Sequence, residues 1–271
     1  MPAETIRVVT LNVWARSGPW DERRSVLIGG LREIGPDLIA SQEAIKTDEY
    51  DQVMDLLGPD FHIFHQTDRG ADGSGVSIAS RWPIEDVTVL DLHVTPRTAV
   101  FACTTLVAKI LAPDPFGTLL FVNHLPNWEL EFEYERELQA VVVGRFIEER
   151  LAQENTHVVL VGDLDADPYA ASIRFWTGRQ ALGGMSVCYR DAWESAHPEE
   201  PGHTFTPRNA LMKDWDWPFR RIDYIFVRCG RHGGPTLAIA SCERIFDEPV
   251  DDVWASDHFG VVADLILPPA S

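Results

Sequence analysis

Positive charge is scarce in this chain. Its 23 lysines and arginines face 42 aspartates and glutamates, for a formal net charge of −19 and a pI near 4.7. Such a surface repels a long polyanion unless a local basic groove overcomes the field. The strongest basic cluster is Arg220-Arg221, and the charge-rich runs Glu129 to Glu137 and Asp247 to Asp252 are mainly acidic. Large nucleic acid is therefore disfavoured as a partner. A small phosphorylated molecule is not, because bound divalent cations reverse a local field. Cysteine is also sparse: Cys103, Cys188, Cys229 and Cys242 lie far apart with no C-x-x-C spacing. That pattern argues against a zinc knuckle or a dense disulfide framework and fits a reduced, cytoplasmic setting. Long apolar runs are missing too, none approaching the roughly 18 residues of a membrane span. Met1-Pro2-Ala3-Glu4-Thr5 leads straight into the strand-like Ile6 to Val13, with no basic and apolar leader pattern for secretion.

What is present reads as one large globular domain over residues 1–271, with 45% hydrophobic and 24% charged residues. β-rich runs recur at Ile6 to Val13, Asp37 to Gln42, Phe61 to His65, Val76 to Ser80, Val87 to Leu92, Ala99 to Leu111, Thr118 to His124, His157 to Val161, Asp223 to Val227 and Gly260 to Leu267. Ten strands suggest two sheets. Helices are expected over Glu22 to Ile34, capped by Asp21 and stopped by Gly35-Pro36, and over Leu130 to Leu151. Strand and helix alternate early, then strands follow one another, a pattern that favours helices packed outside a mixed-sheet sandwich. Asp165 to Arg220 reads as surface loops over a site, and Glu129 to Glu137 as a solvated helix face.

Polar residues sit where these strands end or begin. Asn12, Glu43, His124 and Asp163-Leu164-Asp165 follow strands, whereas Asp223 and Asp257-His258 precede them. Outgoing strands that end at one rim, and returning strands that start there, bring all six clusters to the same edge. Asn12, Glu43 and Asp257 offer oxygen ligands for a hard cation, Asp163 a base, and the imidazoles groups that bind or protonate phosphate oxygens. Singly, each such residue is more often a turn former, a helix cap or a satisfied strand-end histidine. The aromatic residues Trp128, Phe205, Trp215, Trp217 and Trp254 read first as packing and second as a pocket lining.

The ordered set resembles the endonuclease/exonuclease/phosphatase superfamily, which includes pancreatic-type (DNase I-like) deoxyribonucleases, abasic-site endonucleases, inositol polyphosphate 5-phosphatases and neutral sphingomyelinases. The matching motifs are Thr10-Leu11-Asn12, Asp37 to Glu43, Gly75 to Arg81, Val122 to Leu125, Gly162 to Asp165, Arg221 to Phe226 and Ser256-Asp257-His258. The resemblance implies a four-layer α/β sandwich with two mixed β-sheets. It implies Glu43 as principal metal ligand with Asn12 and Asp257 beside the metal, Mg²⁺ or else Mn²⁺. It also implies that Asp163 and His258 activate water, that Asp223 orients an imidazole, and that His124 stabilises the phosphoryl group. Arg97 looks like the family's phosphate-contacting arginine. Asp165 stands where the family usually has Asn, and an ionised carboxylate cannot donate a hydrogen bond as an amide does. The expected activity is metal-dependent hydrolysis of a small or lipid-linked phosphate ester by in-line water attack. The alternatives are a DNA or RNA nuclease and a non-catalytic binding module of the same fold.

Overall fold

The side chains of this chain sort into three apolar layers, and that sorting builds the architecture seen in the computed structural model, which describes residues 5–154, 156–212, 217–231 and 233–268. β1 (Ile6–Asn12) is followed by α1 (Trp20–Ile34), β2 (Leu38–Ile45), α2 (Gln52–Leu57), β3 (His62–His65) and β4 (Ser74–Ser80). β5 (Ile84–Asp91) and β6 (Thr104–Leu111), separated by a 3-10 turn at Pro96–Val100, lead to β7 (Thr118–Leu125), α3 (Glu133–Leu151) and β8 (His157–Asp163). α4 (Ala171–Trp176), β9 (Tyr189–Asp191) and α5 (Ala192–Ala196) precede β10 (Asp223–Arg228), β11 (Ala238–Ile245) and β12 (Gly260–Ile266).

Two six-stranded sheets result, in the orders β11-β12-β1-β2-β4-β3 and β5-β6-β7-β8-β10-β9. Both are mixed. Successive residues of a strand face opposite sides, so in β1 Ile6 and Val8 enter the core between the sheets, with Phe121, Val159 and Ile225. Val9 and Leu11 face the other way, onto Leu27 and Leu31 of α1. On the second sheet Val122, Leu160 and Phe226 pack under Ala140, Val143 and Ile147 of α3 and Phe175 of α4. Strands buried on both faces are nearly continuous apolar runs, as Val158 to Val161 is. The fold is an α/β sandwich with two mixed sheets between helical layers.

Topology then gathers the polar strand ends. β1 runs parallel to β2, and β7 parallel to β8, each pair joined through a helix, so both pairs finish at one rim. β10 returns antiparallel to β8 with Asp223 opposite Asp163, and β12 returns antiparallel to β1. Below the rim, a buried polar seam joins the sheets. Gln42 Nε2 donates to Asn123 Oδ1 at 2.7 Å, while Asn123 Nδ2 donates to the carbonyls of Ser41 at 3.1 Å and Ser77 at 2.9 Å. The seam satisfies backbone groups beside a bulge in β2, between Ser41 and Ala44.

Several expectations need correction. β9 and β11 raise the strand count among the described residues to twelve, and the run from Ala99 begins as a 3-10 turn, so the strand itself starts at Thr104. The cap position of α1 is Pro19, with no side-chain cap, and Asp21 lies in the first turn, where a carboxylate favours the helix dipole. Gly35 ends that helix in the left-handed conformation, as expected. The stretch from Asp165 to Arg220 holds α4, β9 and α5 with buried Trp176 and Trp193, not only surface loops. Glu135 is buried and leaves the solvated face expected of its segment. Trp215 lies outside the described residues. Among the described residues, no helix is long and apolar enough to cross a membrane.

Gly162 has φ +148°, and a Cβ there would lie 2.0 Å from the carbonyl oxygen of His124 on the parallel neighbour strand. Gly162→Ala should therefore destabilise the protein by more than about 3 kcal/mol, since a buried strand must move. Urea unfolding with an unchanged midpoint would show that the two strands do not need this approach.

Candidate active site

Asn12 is the hinge of the rim. Its Oδ1 accepts from the Trp14 N–H at 2.9 Å, which orients the amide so that Nδ2 donates to Glu43 Oε1 and to Asp163 Oδ2, both at 3.0 Å. The opposite orientation would set an oxygen against two carboxylates. Asn12, expected beside a metal through its oxygen, here presents its nitrogen to the carboxylates and ties Glu43 on one sheet to Asp163 on the other. Glu43 sits in the β2 bulge with φ +54°, a strained backbone for a non-glycine residue, and the bulge re-aims its side chain.

Asp257 lies next to Glu43. Burial, together with the charge of Glu43, raises its carboxyl to about 6 against the opposing pull of His258. The Ser256 hydroxyl donates to the Asn12 carbonyl at 2.7 Å and lies 3.2 Å from Asp257 Oδ1, pinning this returning segment to β1. Glu43 and Asp257 thus form a pair of like charges with hard oxygen donors, and a divalent cation would relieve their repulsion. The donor set fits Mg²⁺ or Mn²⁺.

Beside them stands a second constellation. His258 Nδ1 bonds Asp223 Oδ2 at 3.1 Å, and its Nε2 lies 3.8 Å from Asp163 Oδ2. Burial disfavours the imidazolium, but the charges of Asp223 and Asp163 outweigh it and hold His258 well above the usual histidine range. Asp163 is itself raised, first by burial and then by the charge of Asp165. One oxygen of each of Asp163 and Asp223 and a ring nitrogen of His258 lie within 4.8 Å of one another, a spacing that a cation could also use. An imidazolium held between two carboxylates repels a cation, so the hydrogen-bonded relay is the better reading of this trio. Phe205 covers the ring at 4.7 Å between centroids.

Asp165 has φ +51° and is buried; its N–H donates to Asp163 Oδ1 at 3.2 Å. Burial raises its carboxyl to about 6 while Arg220 pulls it down. His124 is buried, with Nδ1 at 2.7 Å from Thr105 Oγ1 and its ring edge-on to Trp176. Burial lowers it to about 3, so the ring is neutral, and a Thr105 hydroxyl donating to Nδ1 leaves the proton on Nε2. Arg97 behaves differently: its side chain is half exposed, lies over the Phe132 ring and pairs with Glu135 at 3.3 Å. It contacts none of the other expected site residues.

Two buried arginines lie outside the expected set of site residues. Arg23 is fully buried, and its guanidinium donates to the carbonyls of Val13, Ser17 and Ala255, fixing the loops behind Glu43 and Asp257. Its signal was available, since Trp20, Arg23, Leu27 and Leu31 make one buried helix stripe with a charge in it. The other is Arg220, also buried, which donates to the Asp165 carbonyl at 2.5 Å.

A profile of the endonuclease/exonuclease/phosphatase family matches residues 9–258, a range that holds every candidate from Asn12 to His258. The chain belongs to this family. A putative neutral sphingomyelinase of Caenorhabditis elegans is 25% identical over 312 residues, covering 96% of this chain and 66% of that protein. A Drosophila melanogaster protein of the same description is 25% identical over 291 residues, covering 97% and 61%. The chain thus spans less than two thirds of the length of these relatives. In fold it is similar to D. rerio TDP2 complexed with single strand DNA product, with a TM-score of 0.78 and 21% identity over 97% of this chain and 99% of that one.

The depressed His124 carries a sign that can be checked. Its unfolded form binds a proton below roughly pH 6.5 and its folded form does not, so stability falls by up to about 1.4 kcal/mol per pH unit below that value. In NMR spectra of metal-free protein, His124 should stay neutral from pH 8 to 5, and a His124 titration near 6.5 would refute the burial argument. Asp223→Asn should lower the His258 titration in the same spectra.

Proposed function

We propose that the protein is a divalent-metal-dependent phosphoesterase that hydrolyses a small or lipid-linked phosphate ester by in-line attack of water. The observation that carries this reading is the single amide of Asn12 joining Glu43 to Asp163, which sets a cation-binding pair beside a base and its imidazole relay. Glu43 and Asp257 would hold the cation, Mg²⁺ or Mn²⁺, whose contribution is to neutralise negative charge on the phosphoryl oxygens.

The chain's own residues supply the rest. Asp163 is fixed by the Asn12 amide on Oδ2 and by the Asp165 N–H on Oδ1. Each oxygen keeps a lone pair, and Oδ2 accepts the proton of the attacking water as the ester P–O bond on the opposite side breaks and the leaving oxygen takes a proton from solvent. Asp223 orients His258, whose Nε2 faces the same oxygen across 3.8 Å, enough to share a water between them. The imidazolium stabilises charge as the proton moves, and His124 donates from Nε2 to a phosphoryl oxygen as a neutral group. Such preorganised donors act strongly in a site shielded from water. The formal net charge of −19 supports a compact ester over a long nucleic acid. The names of the relatives support a phosphodiester of lipid type.

Purified protein with Mg²⁺, Mn²⁺ or EDTA should be assayed on bis-p-nitrophenyl phosphate, p-nitrophenyl phosphate, sphingomyelin, inositol phosphates and plasmid DNA. Metal-dependent turnover of a small or lipid ester is expected, with Glu43→Ala and Asp163→Ala each losing more than about a hundredfold while folded. Cleavage of DNA alone would establish the nuclease instead. Undiminished activity in Asp163→Ala would remove the proposed base.

A further inference from the structure

The phosphoryl group enters a rim crowded with carboxylates, from Glu43, Asp163, Asp165, Asp223 and Asp257, so its oxygens need a positive partner on the side away from the cation pair. The arginines near the rim can be sorted by where their N–H groups go. Arg23 is spent on three carbonyls behind the site. Arg136 donates to the carbonyls of Asn127, Glu129 and Leu130 and to Glu133. Arg221 is held in a buried pair with Asp191 at 2.7 Å and lies over the Tyr224 ring. Arg97 is tied to Glu135 and Phe132.

Arg220 is set apart by its position. Its backbone bridges to Phe205, which bridges in turn to His258, so the guanidinium stands one strand from the catalytic imidazole. Nη2 donates to the Asp165 carbonyl at 2.5 Å and Nε reaches Asp167 Oδ2 at 3.5 Å. Nη1 lies 3.8 Å from Asp165 Oδ1, too far for a hydrogen bond, and makes none among the described residues, yet it is not a buried orphan. A buried guanidinium gripped through Nη2 and Nε, with Nη1 bonded by none of the described residues, is a fork held ready for an anion.

We propose that Arg220, gripped by Asp165 and Asp167, is the residue that contacts the phosphoryl oxygens of the substrate, in place of Arg97. Asp165 serves as its anchor, and the charge of the pair sums to zero until an anion arrives. This rests on the phosphoesterase reading above.

The test compares Arg220→Met, Arg220→Lys, Arg97→Ala and the double variant Arg220→Met with Asp165→Asn against wild type. Hydrolysis of bis-p-nitrophenyl phosphate with Mn²⁺ is followed as kcat and KM, and stabilisation by inorganic phosphate as the rise in Tm. Arg220→Met should lose about a hundredfold in kcat/KM, as the loss of a preorganised charged donor does. Arg220→Lys should lose about tenfold, because a point charge cannot serve anchor and anion together. The double variant should recover about tenfold over Arg220→Met, since the buried carboxylate no longer repels the phosphate. Activity of Arg220→Lys within threefold of wild type, or a larger loss in Arg97→Ala, overturns the proposal. If Arg220→Met does not fold, the lysine and double variants decide. If wild type hydrolyses no diester, the phosphoesterase reading falls by itself and the phosphate arm decides for Arg220. Stabilisation of wild type that vanishes in Arg220→Lys supports the subsite, and equal or absent stabilisation overturns it.

Discussion

A single side-chain amide joins the two halves of this molecule at the place where the chemistry is set. Asn12 leaves the first sheet, and its nitrogen binds a carboxylate of each sheet at the same distance. Were the sheets to slide, Glu43 and Asp163 would part, and the proposed cation pair would lose its register with the proposed base. The Gln42–Asn123 seam below performs the same work one layer deeper, where water cannot compete. Apolar packing between the sheets supplies cohesion but tolerates small slips, whereas buried hydrogen bonds admit one alignment.

The rim also carries the molecule's main concentration of unfavourable terms. Glu43 and Asp165 hold left-handed backbone, and five carboxylates crowd a small volume. Burial pushes Asp163, Asp165 and Asp257 upward, and the largest opposing pull on each comes from a basic group, His258 on Asp163 and Asp257 and Arg220 on Asp165. The basic residues here therefore act chiefly inside the protein, as counter-charges. A chain with few of them places Arg23, Arg220 and Arg221 under cover.

Much of this was legible from residues in order. The strand-end positions of Asn12, Glu43, His124, Asp163, Asp223 and His258 were visible because apolar runs stop abruptly at them, and the parallel pairing of β1 with β2 and of β7 with β8 gathers their ends. β9 escaped because three residues carry no periodicity. β11 escaped because Ala238 to Ile245 alternates poorly, with Ala240, Ser241 and Glu243 facing solvent. The first turn of α1 misled because Asp21 suits a cap, whereas the chain enters through Pro19. Arg97 drew attention as the basic residue of a short motif. Arg220 stood out only as half of the basic pair with Arg221, because its partner Asp165 lies 55 positions away and no local pattern announces that contact.

The exposed large side chains near the rim belong to loops: Trp128 and Leu130 after β7, Tyr169 after β8 and Phe219 before β10. None of them takes part in a ladder or in the polar seam. Lineages carrying this scaffold can therefore exchange these tips, and with them the molecules they admit, while the strand ends stay still. Evolution of substrate choice is in this way separated from evolution of the reaction, and new preferences can arise without passing through inactive or unfolded ancestors.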